Sequence, residues 1–241
     1  RIPRPTQTMK HLLFPLVLLL STSLSAQQSP TIETAVAPFK IDARLISGLD
    51  LPPVTRKDDP DREYYQKRVF RGEDLSVFIL SSETSTNELN DFPIDEFVYY
   101  LNGKAEIELP DQPTLTFLAG DYLFAPKGFS GQWPNYGGSP LHLEFSVISS
   151  RRADAAEVSP AKQPFLLDVV TEAGEPAEWK VEALAQDQLY HVLHGSLTVN
   201  SGMEVPATFY RGEFFILPRG FSGSLRAEKG QQLRRLKVIP K

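Results

Sequence analysis

The chain has 241 residues, 25 basic against 30 acidic side chains, a net charge of −5 and no cysteine. The lack of cysteine excludes disulfides, thiolate metal sites, a cysteine nucleophile and a lipidated cysteine. An acidic chain without a basic run suits neither nucleic acid nor an anionic membrane surface.

Met9-Lys10-His11 is a short basic start, Leu12–Leu20 an apolar run, and Ser21–Ala26 small and polar. That order predicts a secretory signal peptide, too short for a bilayer span, with cleavage after Ser25 or Ala26. Residues 1–8 precede the methionine and read as an upstream extension, so residues 1–26 are set apart from the fold. Removing them takes out Arg1, Arg4 and Lys10 and no acid, which moves the net charge from −5 to −8. The expectation is an exported protein, periplasmic or extracellular, with no stable membrane association after cleavage.

Residues 27–38 read as a polar linker. Ile41, Ala43 and Leu45 alternate, so Phe39–Ile46 is a predicted strand, and proline-rich Leu51–Pro60 a loop. Tyr64–Phe70 and Leu75–Leu80 are predicted strands, and Ser81–Asp91 a polar loop. Further strands are predicted at Glu96–Leu101, Ala105–Leu109, Leu115–Leu118, Tyr122–Ala125 and Leu141–Ile148, between Gly, Pro and Asn turns. Pro113, Pro126 and Pro134 are placed at strand ends, where a missing N–H costs least. Ser149–Gln163 reads as a linker with a short helix at Arg151–Val158. A second β-unit begins at Phe165 and ends on Leu233–Ile239. No sustained helical period appears after residue 30, so the fold class is all-β.

The two halves repeat. Asp95–Gly131 reads DEFVYYLNG, a polar turn, then FLAGDYLFAPKGFSG, and Asp187–Gly223 reads DQLYHVLHG, then FYRGEFFILPRGFSG. At a constant offset of 92, Asp95, Leu101, Gly103, Phe117, Gly120, Pro126, Gly128, Phe129, Ser130 and Gly131 each meet the same residue type. Ten identities in register indicate one duplicated unit. At the same offset, Leu167 and Val169 match Leu75 and Val77, and Leu233–Ile239 matches Leu141–Val147. The Gly-Phe-Ser-Gly tetrad reads as structural: Phe plugs the barrel end and the last Gly lets backbone pass closely. No Gly-x-Ser-x-Gly elbow, phosphate loop or dinucleotide fingerprint is present.

Glu96 leading into Tyr99-Tyr100-Leu101-Asn102-Gly103, followed by Gly120-Asp121 and Pro126-Lys127-Gly128, resembles the two motifs of the cupin barrel. The ending Pro126–Trp133 is most similar to the cupin_3 group, which includes ureidoglycine aminohydrolase-like proteins. The resemblance covers about residues 75–148 and 167–239. It implies two tandem double-stranded β-helix (jelly-roll) barrels, at 39–150 and 164–241, joined by a linker at 151–163. The second is short for a closed barrel, so strands from Phe39 to Phe70 are expected to pack across onto it, or onto a second chain in a homodimer.

Most cupins hold a divalent metal with His-x-His, a Glu and a later His. The resemblance places Glu96 at the Glu position. The His-x-His positions fall on Leu89 and Asp91, or on Asn90 and Phe92, and the last His on Gly131. In the second barrel the same places hold Val181/Ala183 or Glu182/Leu184, Gln188 and Gly223. The expectation is therefore no metal and no cofactor; Asp91 with Glu96 suits at most a weak oxygen-ligated cation. Of the histidines, His11 lies in the signal, His194 in a turn, and His191 on the outward face. His142 and Glu144 share one face of a strand and read as a surface or rim pair, with an approach to Glu96 as the other option.

Strand alternation turns Glu96, Val98 and Tyr100 inward, with Gly131 and Trp133. Glu96, Val98, Tyr100 and Trp133 form the candidate ligand-binding set. Their counterparts, Gln188, Tyr190, Val192, Gly223 and Leu225, are mostly apolar. An acid with two aromatics suits a sugar or another flat polar ligand. Alternatively, Tyr100 and Trp133 fill the barrel and Glu96 pairs with a Lys or Arg. Three functions follow as expectations: metal-free binding of a small polar ligand, a hydrolase or isomerase using Glu96 as general acid or base, or a structural or assembly protein.

Overall fold

The computed structural model describes residues 37–57, 59–109, 111–136, 141–149, 165–172, 178–202, 205–228 and 233–240. The signal segment and the Arg151–Val158 helix lie outside them.

The chain opens with β1 (Phe39–Lys40) and a one-turn helix α1 (Ala43–Ile46). The first half continues with β2 (Tyr64–Arg71), β3 (Leu75–Ser82), β4 (Ser85–Leu89), β5 (Glu96–Asn102), β6 (Lys104–Ile107), β7 (Leu115–Leu118), β8 (Tyr122–Ala125), β9 (Gly131–Tyr136) and β10 (His142–Ser149). The second half holds β11 (Phe165–Glu172), β12 (Glu178–Val181), β13 (Gln188–His194), β14 (Ser196–Asn200), β15 (Ala207–Tyr210), β16 (Phe214–Leu217), β17 (Gly223–Ala227) and β18 (Leu233–Pro240). In the first half, sheet β2-β3-β10-β5-β8 faces sheet β4-β9-β6-β7. In the second, β1-β16-β13-β18-β11 faces β12-β17-β14-β15. All pairings are antiparallel, and the fold is a pair of cupin-type barrels.

Alternation along each strand sends one set of side chains into a barrel and the other set out. Val98, Tyr100, Ala105, Ile107, Leu123 and Trp133 form the interior of the first barrel. Val192, Leu197, Phe215, Phe221 and Leu225 form that of the second. The opposite faces of the two larger sheets meet in a seam, where Val77, Phe97, Phe145 and Val147 pack on Leu189, Phe214, Ile216 and Val238. Burying apolar area at about 25 cal/mol per Å² drives all three assemblies.

The structure corrects the sequence reading at several points. Phe39–Ile46 is not one strand: β1 ends at Lys40, and Asp42 caps α1 by accepting the Arg44 N–H at 2.8 Å. β1 pairs with β16, so a stretch assigned to the first barrel completes a sheet of the second. β2 instead stays with β3 in the first barrel. Of the strands expected to cross over, β1 alone does so among the described residues. Ser81–Asp91 is not all loop: Ser85–Leu89 is a strand that lacks an apolar alternation and is held by its pairing with β9. Pro134 lies inside β9 rather than at its end. The ladder to β6 there runs through Tyr136 and Asn135 and resumes at a Glu108–Gln132 bridge, so the missing N–H falls in a gap.

The offset of 92 holds from β5–β9 to β13–β17 but not for β3 and β10. Glu144 lies opposite Tyr100, whereas Arg235 lies opposite Val192, so β10 repeats as β18 at 91 residues. His142 lies opposite Ser82 and Leu233 opposite Glu172, so β3 repeats as β11 at 90. Leu75 thus corresponds to Phe165, not Leu167.

Candidate functional site

The hairpin ends that carry the sequence motif are built identically in both barrels. Ser130 Oγ accepts the Asp91 N–H at 3.0 Å, and Ser222 Oγ the Ala183 N–H at 2.9 Å. A Cβ on Gly131 would lie 2.7 Å from the Glu108 carbonyl oxygen, and one on Gly223 2.2 Å from that of Asn200. Phe129 and Phe221 pack into their own barrel cores. This is the close backbone approach and end-plug expected of the tetrad.

The larger sheet of the first barrel presents a polar interior. Residues directly opposite on paired strands share a face. Tyr64 lies opposite Ser82, Gln66 opposite Leu80, Leu80 opposite Glu144, Phe78 opposite Ser146, and Ile148 opposite Glu96. With Val98 and Tyr100 in the barrel core, this whole face points inward. Tyr64, Gln66, Phe78, Leu80, Glu96 and Ile148 are nevertheless only partly buried, so solvent reaches this part of the interior.

Three chemical groups meet there. Ser146 donates a short hydrogen bond to Glu96 Oε1. Burial, then the nearby Glu144 charge, pushes the Glu96 carboxyl from its ordinary 4.5 up to about 8, against the lowering effect of Ser146. At neutral pH Glu96 is mainly a neutral acid that donates as well as accepts. His142 joins Glu144 Oε2 through Nε2 at 3.2 Å and Ser82 Oγ through Nδ1 at 3.1 Å. Ser82 Oγ also donates to the Glu83 carbonyl at 3.1 Å. Arg62 Nη2 reaches Ser82 Oγ at 3.3 Å, and Nη1 reaches Asn87 Oδ1 at 3.5 Å and Asp59 at 3.8 Å. Burial and Glu144 together hold the Tyr64 hydroxyl above its usual range.

Of the predicted ligand set, the structure brings all four residues into one barrel. Val98 and Tyr100 are fully buried and Trp133 nearly so. Trp133 Nε1 donates to Tyr100 Oη at 3.0 Å. Both aromatics therefore fill the barrel, while Glu96 lies where solvent reaches. Glu96 is not paired with a lysine or arginine in the hydrogen bonds described; its partner is Ser146. His142 is 3% exposed, which overturns its reading as a surface or rim pair with Glu144. Sequence reasoning missed Ser82, Ser146, Arg62 and Tyr64 altogether. The signal available was parity: Glu144 and Ser146 share His142's face.

The family's metal set does not fit these residues. Leu89 packs on the barrel core, Phe92 belongs to it, and the space beside Gly131 is taken by backbone. Asp91 is exposed in a turn at φ 53°. Among the described residues no group of three or more His, Asp or Glu side chains converges to hold a metal ion.

The second barrel is lined differently at the described residues. Gln188 Oε1 accepts from Tyr190 Oη at 2.8 Å, and Arg235 lies over the Trp179 ring at 4.8 Å and the Tyr190 ring at 5.5 Å. Val192 and Leu225 are buried where the first barrel has Tyr100 and Trp133. His191 faces outward from its barrel, as its parity predicts. It lies in the seam, stacked 3.9 Å from Phe214 and 3.0 Å from Tyr122 Oη. Burial lowers its pKa from 6.5 to about 4, so it is neutral at ordinary pH.

These features define a cupin fold in both halves, with the Glu96, Glu144 and His142 group in the first. Residues 71–135, inside that barrel, match the family described as Cupin_3, EutQ-like cupin domain. No curated protein matches the sequence. Solved structures are similar in fold. A DUF861-family protein of unknown function from Pseudomonas syringae has a TM-score of 0.57 at 12% identity, covering 84% of this chain and 99% of that one. A cupin 2 conserved barrel protein from Leptotrichia buccalis has 0.54 at 15%, covering 80% and 98%. The DUF861 protein Ylba of E. coli has 0.54 at 12%, covering 81% and 88%. At these identities the likeness concerns the fold alone.

Proposed function

We propose that the protein binds a small polar ligand in the first barrel, without a metal, and that the second barrel is a structural partner. The observation that carries this is the contrast between the two interiors. Glu96, Glu144 and His142 face the interior of the first, while Gln188, Arg235 and Leu233 stand at the same places in the second. Retaining buried acids costs stability, and a ligand that uses them is the simplest return on that cost. Calorimetric titration with neutral monosaccharides, small amines and small hydroxy acids tests it. A binder is expected to lose about tenfold in Glu96→Gln, through a lost hydrogen bond, and nothing in Gln188→Glu. Loss with Gln188 and not with Glu96 sinks the assignment.

A second reading, general acid or base catalysis by Glu96, is favoured by its pKa near 8 beside the Ser146 hydroxyl. A turnover profile that lacks a limb near pH 8 argues against it. The reading includes export, on the strength of the Met9–Ala26 pattern; intact-mass measurement of secreted material should show a start at Ala26 or Gln27.

A further inference from the structure

We infer that the ligand of the first barrel is a small organic cation rich in N–H donors, an amine, amidine or guanidinium, held by Glu96, Glu144 and the Asn135 amide oxygen. This rests on the ligand-site reading above and supplies its chemistry.

Asn135 lies opposite Ala105 on β6, and Ala105 belongs to the barrel core, so the amide faces the interior. The residue is 5% exposed, and its Oδ1 has no hydrogen-bond partner among the described residues. An orphaned acceptor at that depth is costly unless a donor reaches it. Across the barrel, Glu144 and Glu96 present carboxyl groups from the facing sheet, and His142 and Ser146 engage one oxygen of each. The interior is therefore rich in acceptors.

The charges point the same way. The titratable and charged groups facing Glu96 and Glu144 are His142 and Tyr64, with Arg62, Arg56 and Arg68 around them. Arg62 is already paired with Asp59. Burial, and then the nearby Glu144 charge, keep a proton on Glu96. A bound cation takes the place of that proton. The Tyr64 and Phe78 rings are already faced by Arg56 at 5.4 Å and by Arg68 at 5.7 Å. A neutral sugar brings acceptors as well as donors and matches this lining less well.

Methylguanidinium and methylurea have nearly the same shape and differ in charge, so they are the probes. With the full chain in calorimetry, methylguanidinium is expected to bind about tenfold or more tighter than methylurea, and to release a proton near neutral pH. Glu96→Gln should abolish the proton release and weaken the cation about tenfold. Asn135→Leu should weaken both probes and leave the proton release intact. If neutral methylurea or glucose binds better than the cation, and still depends on Glu96, the cation inference falls and the ligand site stands. If methylguanidinium binds and neither variant alters it, the placement is wrong. If no cation binds, the inference is overturned, and if no neutral probe binds either, the ligand site falls with it.

Discussion

At the same place in the repeat, Asp95 and Asp187 do different amounts of work. Asp95 accepts the Lys127 N–H at 2.8 Å and caps its own hairpin. Asp187 makes the equivalent bond to the Arg219 N–H at 2.9 Å, and its other oxygen accepts the N–H groups of Asp74 and Leu75 from the first barrel, at 2.9 and 3.3 Å. Asp74 returns the contact by accepting the Asp187 N–H at 3.0 Å and by an ion pair with Arg219. A Cβ on Gly72 would lie 2.0 Å from Asp187 Oδ2, so the turn between β2 and β3 needs glycine to close this clasp. One copy of the duplicated unit joins the barrels, and the other carries the Glu96, Glu144 and His142 group. Duplication lets the two tasks separate, because each barrel keeps the motif that folds it.

The largest effect should come from breaking that asymmetry. Asp187→Ala strands the backbone N–H groups of Arg219, Asp74 and Leu75, and should cost about 3–5 kcal/mol in urea unfolding. Asp95→Ala should cost about 1 kcal/mol. Equal costs would mean that the clasp contributes nothing.

The two barrels also differ in the sign of their pH response. Glu96 has a folded pKa near 8 against an ordinary 4.5, so the folded state binds the extra proton. Its contribution is complete below about pH 4.5 and is lost as pH rises through 8, on the order of 2–4 kcal/mol after allowance for partial solvent access. Glu96→Gln should flatten this loss between about pH 6 and about pH 9. His191 runs the other way. Its folded pKa near 4 lies below 6.5, so the unfolded chain binds the proton and stability falls as pH drops from 6.5 to 4. Thermal melts across pH should show maximum stability in the mildly acidic range, and His191→Gln should remove the acid limb alone.

The smallest effect sharpens the shared part. Ser130→Ala and Ser222→Ala each remove one turn hydrogen bond and should cost about 1 kcal/mol apiece, equally in both barrels. A clear inequality would show that the hairpin ends are not equivalent.

The duplication and the inward face of β5 were legible because both are local: ten identities fix the register, and alternation from Glu96 reaches Tyr100. The neighbours of Glu96 were not. β10 pairs with β5 across four intervening strands, and nothing in the sequence states that Ser146 falls opposite Val98. A change of one residue in loop length, as between β10 and β18, turns an entire strand over, so Glu144 could not be matched to Arg235 from the offset of 92. β4 escaped because Ser-Thr-Asn-Glu-Leu carries no apolar alternation. His142 and Glu144 were correctly placed on one shared face, and only its exposure was misjudged.

β1 gives the molecule a particular order of assembly. Phe39 and Lys40 leave the ribosome before either barrel, yet their partners are Ile216 and Phe215, and the Lys40 ammonium pairs with Glu213, 173 residues on. Contacts this distant in sequence carry a large loop-closure entropy and form late. The first barrel can fold while the second is still being synthesised, but the sheet edge at β16 is left uncovered until the chain is nearly complete. During that interval an unpaired strand edge is open to other chains. Two residues near the start of the fold thus act as the last seal on its end.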